Sequence, residues 1–403
     1  MAALQLYRNT QGRRILRSDR RRDGPVKHAE VIIVGAGVTG LSTAWWLARA
    51  GVKVVVLDKG IVGWEASGRN GGGASHYQSP LFDEEQRLWP IMDELLGYPT
   101  EYRRERIVMA ISPGQMEQER YVANICSELG YRVDVLDGHQ VREVVSFAGE
   151  NCEGGMHYRF GGHANPQRTV QAYAWALQDL GGLILQHNRV TGFDCRNGKV
   201  TAVKTELGPI ECDAVVLAAG PQVAALASKL GIDIPLVSGR AEMIITEPAP
   251  LMKIGGVDGN GLYGRQTLRG NLAYGGGPHE WVEVGEAGPL ARPATPLTRN
   301  IARRLVELMP GAAKLNIIRS WAGIFENTPD GRPILDRMSD PENVTIASMS
   351  GVGFGLSPAS GRAVSELVLE GTCSFADISR FGLSRFSDLP ADWRQQRGWV
   401  ATA

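Results

Sequence analysis

One stretch near the beginning of the chain, residues 31–60, constrains the fold more than any other. It opens with the β-branched run VIIV at residues 31–34, which is typical of a strand buried on both faces of a parallel sheet. Three glycines follow in the spacing GxGxxG, and apolar residues then recur at helical spacing. A second buried strand is predicted over residues 52–57. The order of strand, glycine loop, helix and strand predicts the first unit of an α/β fold.

The three glycines each have a mechanical role in such a unit. Gly35 makes the tight turn, Gly37 lets the main chain approach a pyrophosphate, and Gly40 allows the helix to pack close to the strand. The start of the helix offers N–H groups and the positive end of its dipole to the same pyrophosphate. Asp58 stands where a carboxylate accepts a hydrogen bond from a ribose hydroxyl. The sequence therefore predicts a dinucleotide site, and this motif leaves open whether the dinucleotide is FAD or NAD.

Two further segments are rich in glycine. Residues 66–74, ASGRNGGGA, hold too few large side chains to pack a core, so their main chain is expected to pass close to a flat or charged group. A buried strand is predicted over residues 344–347, followed by the loop SGVGFGLS at 350–357 and a helix over 358–369. Strand, glycine loop and helix thus occur a second time, which predicts a second helix start that faces a ligand.

Composition and charge exclude several classes of function. Acidic and basic residues balance at 43 each, so no net charge favours nucleic acid or an anionic membrane as a partner. No apolar run reaches the length of a membrane span. The five cysteines are scattered without a CxxC pair, which argues against a metal or iron–sulfur site and against a disulfide framework. We therefore expect a cytoplasmic protein in which this chain binds no metal.

The 403 residues are enough for two domains, and the pattern predicts that these are interleaved. After residue 81 the pattern changes to mixed helices and short strands, and the run AVVLAA at 214–219 returns to the pattern of a doubly buried strand. The arginine-rich beginning is interpreted either as a solvated arm or as a tether across a partner subunit. The predicted division is a basic N-terminal arm, 1–27; a dinucleotide-binding domain, 28–80, 165–235 and 320–385; a substrate domain, 81–164 and 236–319; and a C-terminal tail, 386–403.

With these motifs in place, the chain resembles the FAD-dependent D-amino-acid oxidase (DAO) superfamily, and within it the glycine oxidase and sarcosine oxidase branch. The resemblance implies an α/β and α+β fold, in which a Rossmann-like FAD-binding domain is interleaved with a β-sheet-based substrate domain of the DAO or glutathione-reductase-2 type. Five ordered motifs carry it, between about residue 30 and residue 369. They are VIIVGAGVTGLSTAWWLARAGVKVVVLDKG, ASGRNGGG, VVLAAGP, WAGIFENTPDGRPIL and SGVGFGLSPASGRAVSELV.

The resemblance implies non-covalent FAD. Monomeric sarcosine oxidases attach their flavin through a cysteine at the position of Gly323, so that attachment is excluded here. The main chain of residues 351–356 is expected to direct N–H groups at the pyrimidine edge of the flavin, where they stabilise negative charge. The residues expected around the FAD are Gly35, Ala36, Gly37, Val38, Thr39, Gly40, Asp58, Lys59, Ser67, Gly68, Arg69, Asn70, Gly71, Gly72, Val190, Ala219, Gly220, Gly351, Val352, Gly353, Phe354, Gly355 and Leu356.

Other departures from the family pattern concern the substrate and oxygen. The basic residues that bind the substrate carboxylate in sarcosine oxidases align with Ala74 and Gly355, and the corresponding arginine of glycine oxidase aligns with Phe325. The lysine that promotes the reaction of sarcosine oxidases with oxygen aligns with Ala273. The resemblance therefore implies a dehydrogenase that binds its substrate carboxylate in another way, or that binds the carboxylate of a larger molecule.

These features are similar to those of β-type catalytic subunits in heteromeric enzymes that oxidise sarcosine, proline, hydroxyproline or opines. Such subunits pair with a second flavin-bearing chain and often with a small iron–sulfur chain. The histidine that carries covalent FMN in the sarcosine oxidase β subunit aligns near Gln167, so non-covalent FMN at a subunit interface stays open. The implied reaction moves a hydride from the carbon beside a neutral amine to flavin N5, and the imine product hydrolyses.

Several residues are candidates to face a small-molecule amine substrate, although no dedicated base is predicted. Tyr263 lies where glycine oxidase has a substrate-facing tyrosine, and a core aromatic is the alternative. His76 follows the glycine-rich segment 66–74, which we call the flavin loop because the resemblance places it beside the flavin. A hydrogen-bonded structural histidine is the alternative interpretation of His76. The other candidates are Phe325 as an apolar wall beside Phe354, Glu326 for a cationic substrate tail or a salt bridge, and Arg265, Arg269 and Arg332 as carboxylate anchors or surface residues.

Three functions follow from this interpretation. The first is an FAD-dependent dehydrogenase of secondary-amine amino acids within a heteromer. The second is a self-sufficient oxidase that produces hydrogen peroxide. The third is a flavin-bearing subunit whose active site lies on its partner.

Overall fold

The structure, a computed structural model, describes residues 26–284 and 291–399. Most of the predicted basic arm and the last four residues of the predicted tail lie outside the described residues. The strands are β1 His28–Val34, β2 Val54–Leu57, β3 Gly73–Ala74, β4 Arg103–Ala110, β5 Val133–Asp137, β6 Gly154–His163, β7 Leu183–Leu185, β8 Val190–Arg196, β9 Lys199–Thr205, β10 Gly208–Leu217, β11 Val237–Pro248, β12 Val257–Gly259, β13 Leu262–Gln266, β14 Asn271–Gly276, β15 Glu280–Val282, β16 Ile317–Asn327, β17 Ile334–Arg337 and β18 Val344–Ser348.

The helices pack on the faces of two sheets. They are α1 Val38–Arg49, α2 Ala66–Arg69, α3 Phe82–Leu88, α4 Met92–Leu96, α5 Pro113–Glu128, α6 Gly138–Val144, α7 Pro166–Asp179, α8 Val223–Ser228, α9 Thr295–Leu308, α10 Gly353–Glu370 and α11 Trp393–Gln396. Among the described helices, none combines the length and the apolar character needed to span a bilayer.

The first sheet, sheet A, contains the glycine unit. Its order is β17-β18-β10-β1-β2-β7, and every pairing on this path is parallel except that of β17 with β18. The meander β8–β9 continues in antiparallel fashion from β10. From β1 the chain passes first to β2 on one side and later to β10 on the other. The boundary between β1 and β10 is therefore the topological switch point of the sheet, where ligands of open α/β sheets bind.

The strands of sheet A are apolar on both sides because both faces are covered. Val31 and Ile33 pack under α1, α7 and α10, whereas Ile32 and Val34 pack against the meander and α8. Helix α1 crosses α10 at close range, since a Cβ on Gly361 would lie 2.0 Å from the hydroxyl of Ser42. This packing fixes the starts of both helices against the switch point.

The second sheet, sheet B, has the order β15-β11-β14-β13-β12-β4-β6-β3, with β16 on the outer side of β11 and β5 on β6. Helix α9 covers one face with Ile301, Leu305 and Leu308. On the opposite face, helix α5 covers part of the sheet with Met116, Ala123 and Cys126. The rest of that face turns toward sheet A and forms the floor of a cavity described below.

Most predicted elements are confirmed, one is corrected, and one strand is not predicted. The helix predicted over 358–369 begins at Gly353, so the last five residues of the loop SGVGFGLS belong to α10. Pro358, the predicted start, instead lies inside α10. Proline has no N–H group, so one main-chain hydrogen bond of the helix is missing there. Strand β6 is not predicted by the sequence, since four glycines in ten residues hide its alternation. The division into two domains stays a prediction. Most of β16 lies within residues 320–385, which the prediction assigns to the dinucleotide-binding domain, but the strand pairs with β11 in sheet B.

Candidate functional site

A long cavity lies at the switch point of sheet A, at the carboxyl ends of β1, β2, β10 and β18. We call it the glycine-loop cavity. It has a volume of about 320 Å³ and is lined by residues 34–39 on one side and by Gly351, Gly353 and Phe354 on the other. Such a volume lies within the usual range of small-molecule sites, roughly 300–1,000 Å³. Two glycine segments more than 300 positions apart in the chain thus form one site.

The helices α1 and α10, whose first turns line this cavity, begin without a side-chain cap from the residue that precedes them. Gly37 precedes α1 and Val352 precedes α10, and neither makes a side-chain cap. The first N–H of α1, that of Val38, donates to the hydroxyl of Ser67 over 2.9 Å. Helix starts of this kind bind phosphate and other anions. The cavity therefore suits a ligand with a pyrophosphate.

At two positions, the turn after β1 and the helix that follows it leave no room for a side chain. Gly35 has a φ of +114°, and a Cβ there would lie 2.3 Å from the carbonyl oxygen of Ala218. Gly40 lies one turn into α1, and its Cβ would lie 2.0 Å from the carbonyl oxygen of Gly35. Both contacts bring main chain against main chain: Gly35 packs against the end of β10, and Gly40 packs α1 against the turn.

Asp58 ends β2 at the rim of the glycine-loop cavity. One carboxylate oxygen accepts the N–H of Ala36 and the other accepts the N–H of Gly60, each over 2.7 Å. An ionised carboxylate has about four acceptor positions, so two remain for ribose hydroxyls. The bond from Ala36 also holds the glycine loop to the end of β2.

The structure brings most of the predicted cofactor residues to this region. Three of them, Gly40, Gly68 and Leu356, line neither this cavity nor its neighbour and support the loops from behind. Five line the neighbouring cavity, namely Arg69, Gly71, Gly72, Val352 and Gly355. Those that line the glycine-loop cavity are Gly35, Ala36, Gly37, Val38, Thr39, Asp58, Lys59, Ser67, Asn70, Val190, Ala219, Gly220, Gly351, Gly353 and Phe354. Their roles toward a cofactor stay predictions.

The second cavity adjoins the first and has a volume of about 390 Å³. We call it the histidine cavity because His76, His163 and His279 line it, between sheet B and the flavin loop predicted at residues 66–74. The two cavities share four wall residues, Ala66, Asn70, Gly351 and Phe354. A flat group at this junction would touch both.

Two of the three histidines are held neutral. His163 is only 4% exposed, and neither ring nitrogen has a hydrogen-bond partner among the described residues. Burial, with Arg265 and Arg103 nearby, lowers the pKa of His163 to about 3. Burial also lowers the pKa of His279, whose Nδ1 is buried without a partner among the described residues. His76 instead lies 3.3 Å from the buried carboxylate of Glu85.

Aromatic side chains form the other walls of the histidine cavity. The ring of Tyr263 lies against the flavin loop, since a Cβ on Gly71 would approach it to 2.9 Å. Burial raises the pKa of Tyr263 to about 12, so its hydroxyl keeps its proton. Phe325 stands 5.3 Å from the ring of His279 and 6.4 Å from that of Trp281, measured between centroids. Tyr263, His76 and Phe325 therefore all line the predicted substrate side.

The remaining substrate candidates lie elsewhere. Glu326 is buried and lines the glycine-loop cavity, where its carboxylate accepts the N–H of Met349 over 3.1 Å and burial raises its pKa. Arg265 is buried behind the flavin loop and donates to the carbonyl oxygen of Gly71 over 2.6 Å. Arg269 and Arg332 are exposed and line neither cavity.

Sequence reasoning missed five polar residues of the histidine cavity: Ser75, Arg106, Asp258, His163 and His279. Arg106 donates from Nη1 to Asp258 Oδ2 over 2.6 Å, and this ion pair stands on the floor of the cavity. The pair joins β4 and β12, which lie about 150 positions apart and pair in parallel. Nothing local in the sequence signals that pairing, so no motif could have identified the ion pair.

Comparison with known proteins agrees with this geometry. The DAO family profile, described as FAD dependent oxidoreductase, matches residues 30–367. The chain is 27% identical to the beta subunit of sarcosine oxidase from Rhodobacter capsulatus, over 90% of each chain. It is also 27% identical to a subunit of opine oxidase from Rhizobium meliloti, over 90% of this chain and 99% of that one.

Among solved structures, the L-proline dehydrogenase from P. horikoshii superposes with a TM-score of 0.80 and 22% identity, over 93% of this chain and 100% of that one. That likeness concerns the fold, and it confirms the predicted combination of two sheets. The family profile covers more than half of the chain, from the first βαβ unit to the end of α10. The chain belongs to the DAO family of FAD-dependent oxidoreductases.

Proposed function

We propose that this chain is a dehydrogenase that oxidises a secondary-amine amino acid and acts as the catalytic subunit of a heteromeric complex. The observation that carries the proposal is the junction of the two cavities at Ala66, Asn70, Gly351 and Phe354. One cavity suits a dinucleotide, and the other has walls of neutral histidine and aromatic side chains above a floor that carries the Arg106–Asp258 ion pair. A flavin ring at the junction would face a substrate in the second cavity.

The residues of the glycine-loop cavity fit FAD. The turn at Gly35 and the start of α1 would hold the pyrophosphate, Asp58 the ribose of the adenosine, and the start of α10 the flavin end. When bound, FAD supplies the acceptor for a hydride from the carbon beside an amine. The protein's own task is to bind and orient that amine, to exclude water and to keep the amine uncharged.

The walls of the histidine cavity favour an uncharged amine. His163 and His279 are neutral at physiological pH because burial lowers the pKa of each, and Tyr263 keeps its proton. Phe325 and Phe354 add apolar surface. A protonated amine that binds beside these side chains loses part of its hydration, which lowers the pKa of the amine. The neutral imidazoles can then exchange hydrogen bonds with the free amine.

The names of the relatives support the substrate class. They are oxidases of sarcosine and of opines, and the similar fold belongs to a dehydrogenase of L-proline. Sarcosine, opines and proline are all secondary amines that carry a carboxylate. We infer that the substrate of this chain is of the same chemical class.

The proposed heteromer follows from two features. Both relatives are named as subunits of larger enzymes. The lysine that promotes the reaction of sarcosine oxidases with oxygen aligns with Ala273, whose side chain is buried and carries no charge. We propose that electrons leave through a second flavin-bearing subunit, with non-covalent FMN at the interface and a small iron–sulfur subunit as further components. The five cysteines of this chain are all free, which supports a reducing, cytoplasmic compartment.

Anaerobic reduction of the bound flavin tests the proposal. The purified chain is mixed with sarcosine, proline, hydroxyprolines and opines, and the flavin absorbance is followed in the absence of oxygen. We expect bleaching with at least one carboxylate-bearing secondary amine and none with the matching primary amines. A flavin that no secondary amine reduces, in the chain alone or in its complex, contradicts the function.

The alternative of a self-sufficient oxidase differs in one measurable step. After anaerobic reduction, air is admitted and reoxidation is timed. A dehydrogenase that lacks the lysine at position 273 is expected to reoxidise slowly in air and rapidly with an artificial electron acceptor. Rapid reoxidation with stoichiometric hydrogen peroxide favours the oxidase instead. The third function, a flavin-bearing subunit without its own active site, predicts no bleaching by any amine unless the partner is present.

A further inference from the structure

The floor of the histidine cavity carries one guanidinium in a constrained position. Arg106 is about one-fifth exposed, its Nη1 is bound to Asp258, and its carbon Cζ lies 4.8 Å above the ring of Tyr158. Its Nε is buried and has no hydrogen-bond partner among the described residues. Nε and Nη2 form the edge through which an arginine binds a carboxylate by two parallel hydrogen bonds. The ion pair with Asp258 and the contact with the Tyr158 ring therefore fix the orientation of the Nε–Nη2 edge. The N–H group at Nε makes no hydrogen bond to any described residue.

The neighbouring position holds a second unsatisfied donor. Gly256 lies between Arg106 and His163, since a Cβ there would be 3.1 Å from Arg106 Cβ and 2.8 Å from His163 Nδ1. The imidazole of His163 is almost fully buried, and both of its nitrogens lack partners in the part of the chain that the structure describes. Arg106 and His163 both carry buried polar atoms without a partner among the described residues, and Gly256 between them adds no side chain. This arrangement indicates a place for a polar part of a ligand.

Other cations near the cavity are already bound. Of the described lysines and arginines, only Arg69 and Arg106 line it. Arg69 donates to the carbonyl oxygen of Ala322 over 2.9 Å and lies 4.6 Å above the ring of Trp64. The other carboxyl near Arg106 is Glu119, and burial raises its pKa, which reduces its competition with an anionic ligand.

The backbone beside Arg106 is strained. Strand β4 carries a bulge between Arg104 and Arg106, and Glu105 at the bulge has a φ of +71°. A glutamate with left-handed backbone angles is strained and persists only where its surroundings hold it. Here Glu105 Oε2 accepts a hydrogen bond from Arg159 Nη1 over 3.1 Å and lies 2.9 Å from His157 Nε2. Bulges often redirect a side chain beside an active site.

We propose that Arg106, oriented by Asp258, binds the carboxylate of the substrate, with His163 as a second donor, and so replaces the basic residues missing at Ala74, Gly355 and Phe325. The inference rests on the proposed function, because it assigns the substrate side to the histidine cavity. It makes the substrate an amine that must carry a carboxylate. An amine without a carboxylate would leave the ion pair as it is and bind weakly.

Binding of an unreactive pair of ligands tests the inference. Pyrrole-2-carboxylate and pyrrole differ by one carboxylate, and neither offers a saturated carbon for hydride removal. Their affinity for the FAD-loaded chain is measured by calorimetry and by the shift of the flavin spectrum. We expect Arg106→Met to weaken binding of the carboxylate by about 10- to 100-fold, the usual loss of hydrogen bonds to a charged group. Pyrrole itself should bind equally to both proteins.

The controls separate this effect from general damage. Arg104→Met removes the same kind of side chain from the same strand at an exposed position and should leave binding unchanged. Arg106→Lys keeps a charge for Asp258 but lacks the paired donor edge, so it should bind the carboxylate several-fold more weakly than the wild type and more tightly than Arg106→Met. If Arg106→Met fails to fold, as shown by flavin content, the comparison of Arg106→Lys with the wild type decides.

Wild-type affinity for pyrrole-2-carboxylate in Arg106→Lys and Arg106→Met overturns the inference, as does an equal loss in Arg104→Met. The result is independent of turnover. If Arg106 governs carboxylate binding but no secondary amine bleaches the flavin, the proposed function fails and the carboxylate site stands. If an amine bleaches the flavin and the carboxylate binds without Arg106, only the carboxylate site fails.

Discussion

The buried imidazole of His163 makes a quantitative prediction about stability and pH. The side chain is 4% exposed, its nitrogens have no partner among the described residues, and burial lowers its pKa to about 3. In the unfolded chain the pKa returns to about 6.5. Between these values the unfolded chain binds a proton that the native protein does not. Lowering the pH therefore favours unfolding, from about pH 6.5 down to about pH 3.

The size of the effect follows from the two pKa values. With pKa values of about 6.5 unfolded and about 3 native, this one group destabilises the protein by about 2 kcal/mol at pH 5 relative to pH 7.5. His163→Gln removes the titrating group while keeping a neutral polar side chain of similar length. The free energy of unfolding of the wild type should thus fall by about 2 kcal/mol more than that of the variant over this pH range.

Urea unfolding at pH 5 and at pH 7.5, with saturating FAD throughout, measures this difference. Contributions from all other groups cancel between the two proteins. His139→Gln, at a side chain that is 77% exposed, is the matched control and should follow the wild type. An equal loss of stability in the wild type and in His163→Gln refutes the reasoning, because His163 would then be hydrated or hydrogen bonded.

Three further substitutions test the two cavities. Gly35→Ala forces a Cβ to 2.3 Å from a carbonyl oxygen at a φ of +114°, so it should abolish FAD binding and cost at least about 2 kcal/mol in urea unfolding, whereas Gly51→Ala meets open space and should retain FAD. Asp58→Ala removes two 2.7 Å bonds to main-chain N–H groups and should lower the stability of the FAD-free chain by about 2–4 kcal/mol, with weaker FAD binding in fluorescence titrations. Trp399→Ala removes a ring 4.9 Å from Trp281, which supports the Phe325 wall, and should raise KM several-fold at unchanged flavin content.

The parts of the fold that sequence predicts well are those whose pattern is local. Residues 31–34 of β1 and the whole of β2 are buried on both faces and are apolar throughout. At Gly35 and Gly40 a Cβ would clash with main-chain atoms, which explains why the motif has glycine there. Helix α10 shows the limit of such reasoning. Its start at Gly353 depends on packing against α1. Neither a capping side chain nor a proline at the first position of the helix indicates that start in the sequence.

The substrate side is less predictable because it is assembled by sheet pairing. Arg106 and Asp258 meet only because β4 pairs with β12, and His163 ends β6, whose glycines conceal it as a strand. Tyr263 and Phe325, in contrast, are predicted from a family resemblance and do line the histidine cavity. Long-range register, rather than residue type, therefore decides which charged groups line the histidine cavity.

A crystal structure of the purified chain with its native cofactor and pyrrole-2-carboxylate tests the central claim most directly. The account predicts one FAD that runs from Asp58 to Gly353, with its isoalloxazine ring at the junction of Asn70, Gly351 and Phe354 and the ligand on the histidine side. A nicotinamide dinucleotide in the glycine-loop cavity, or a flavin ring away from that junction, would contradict it.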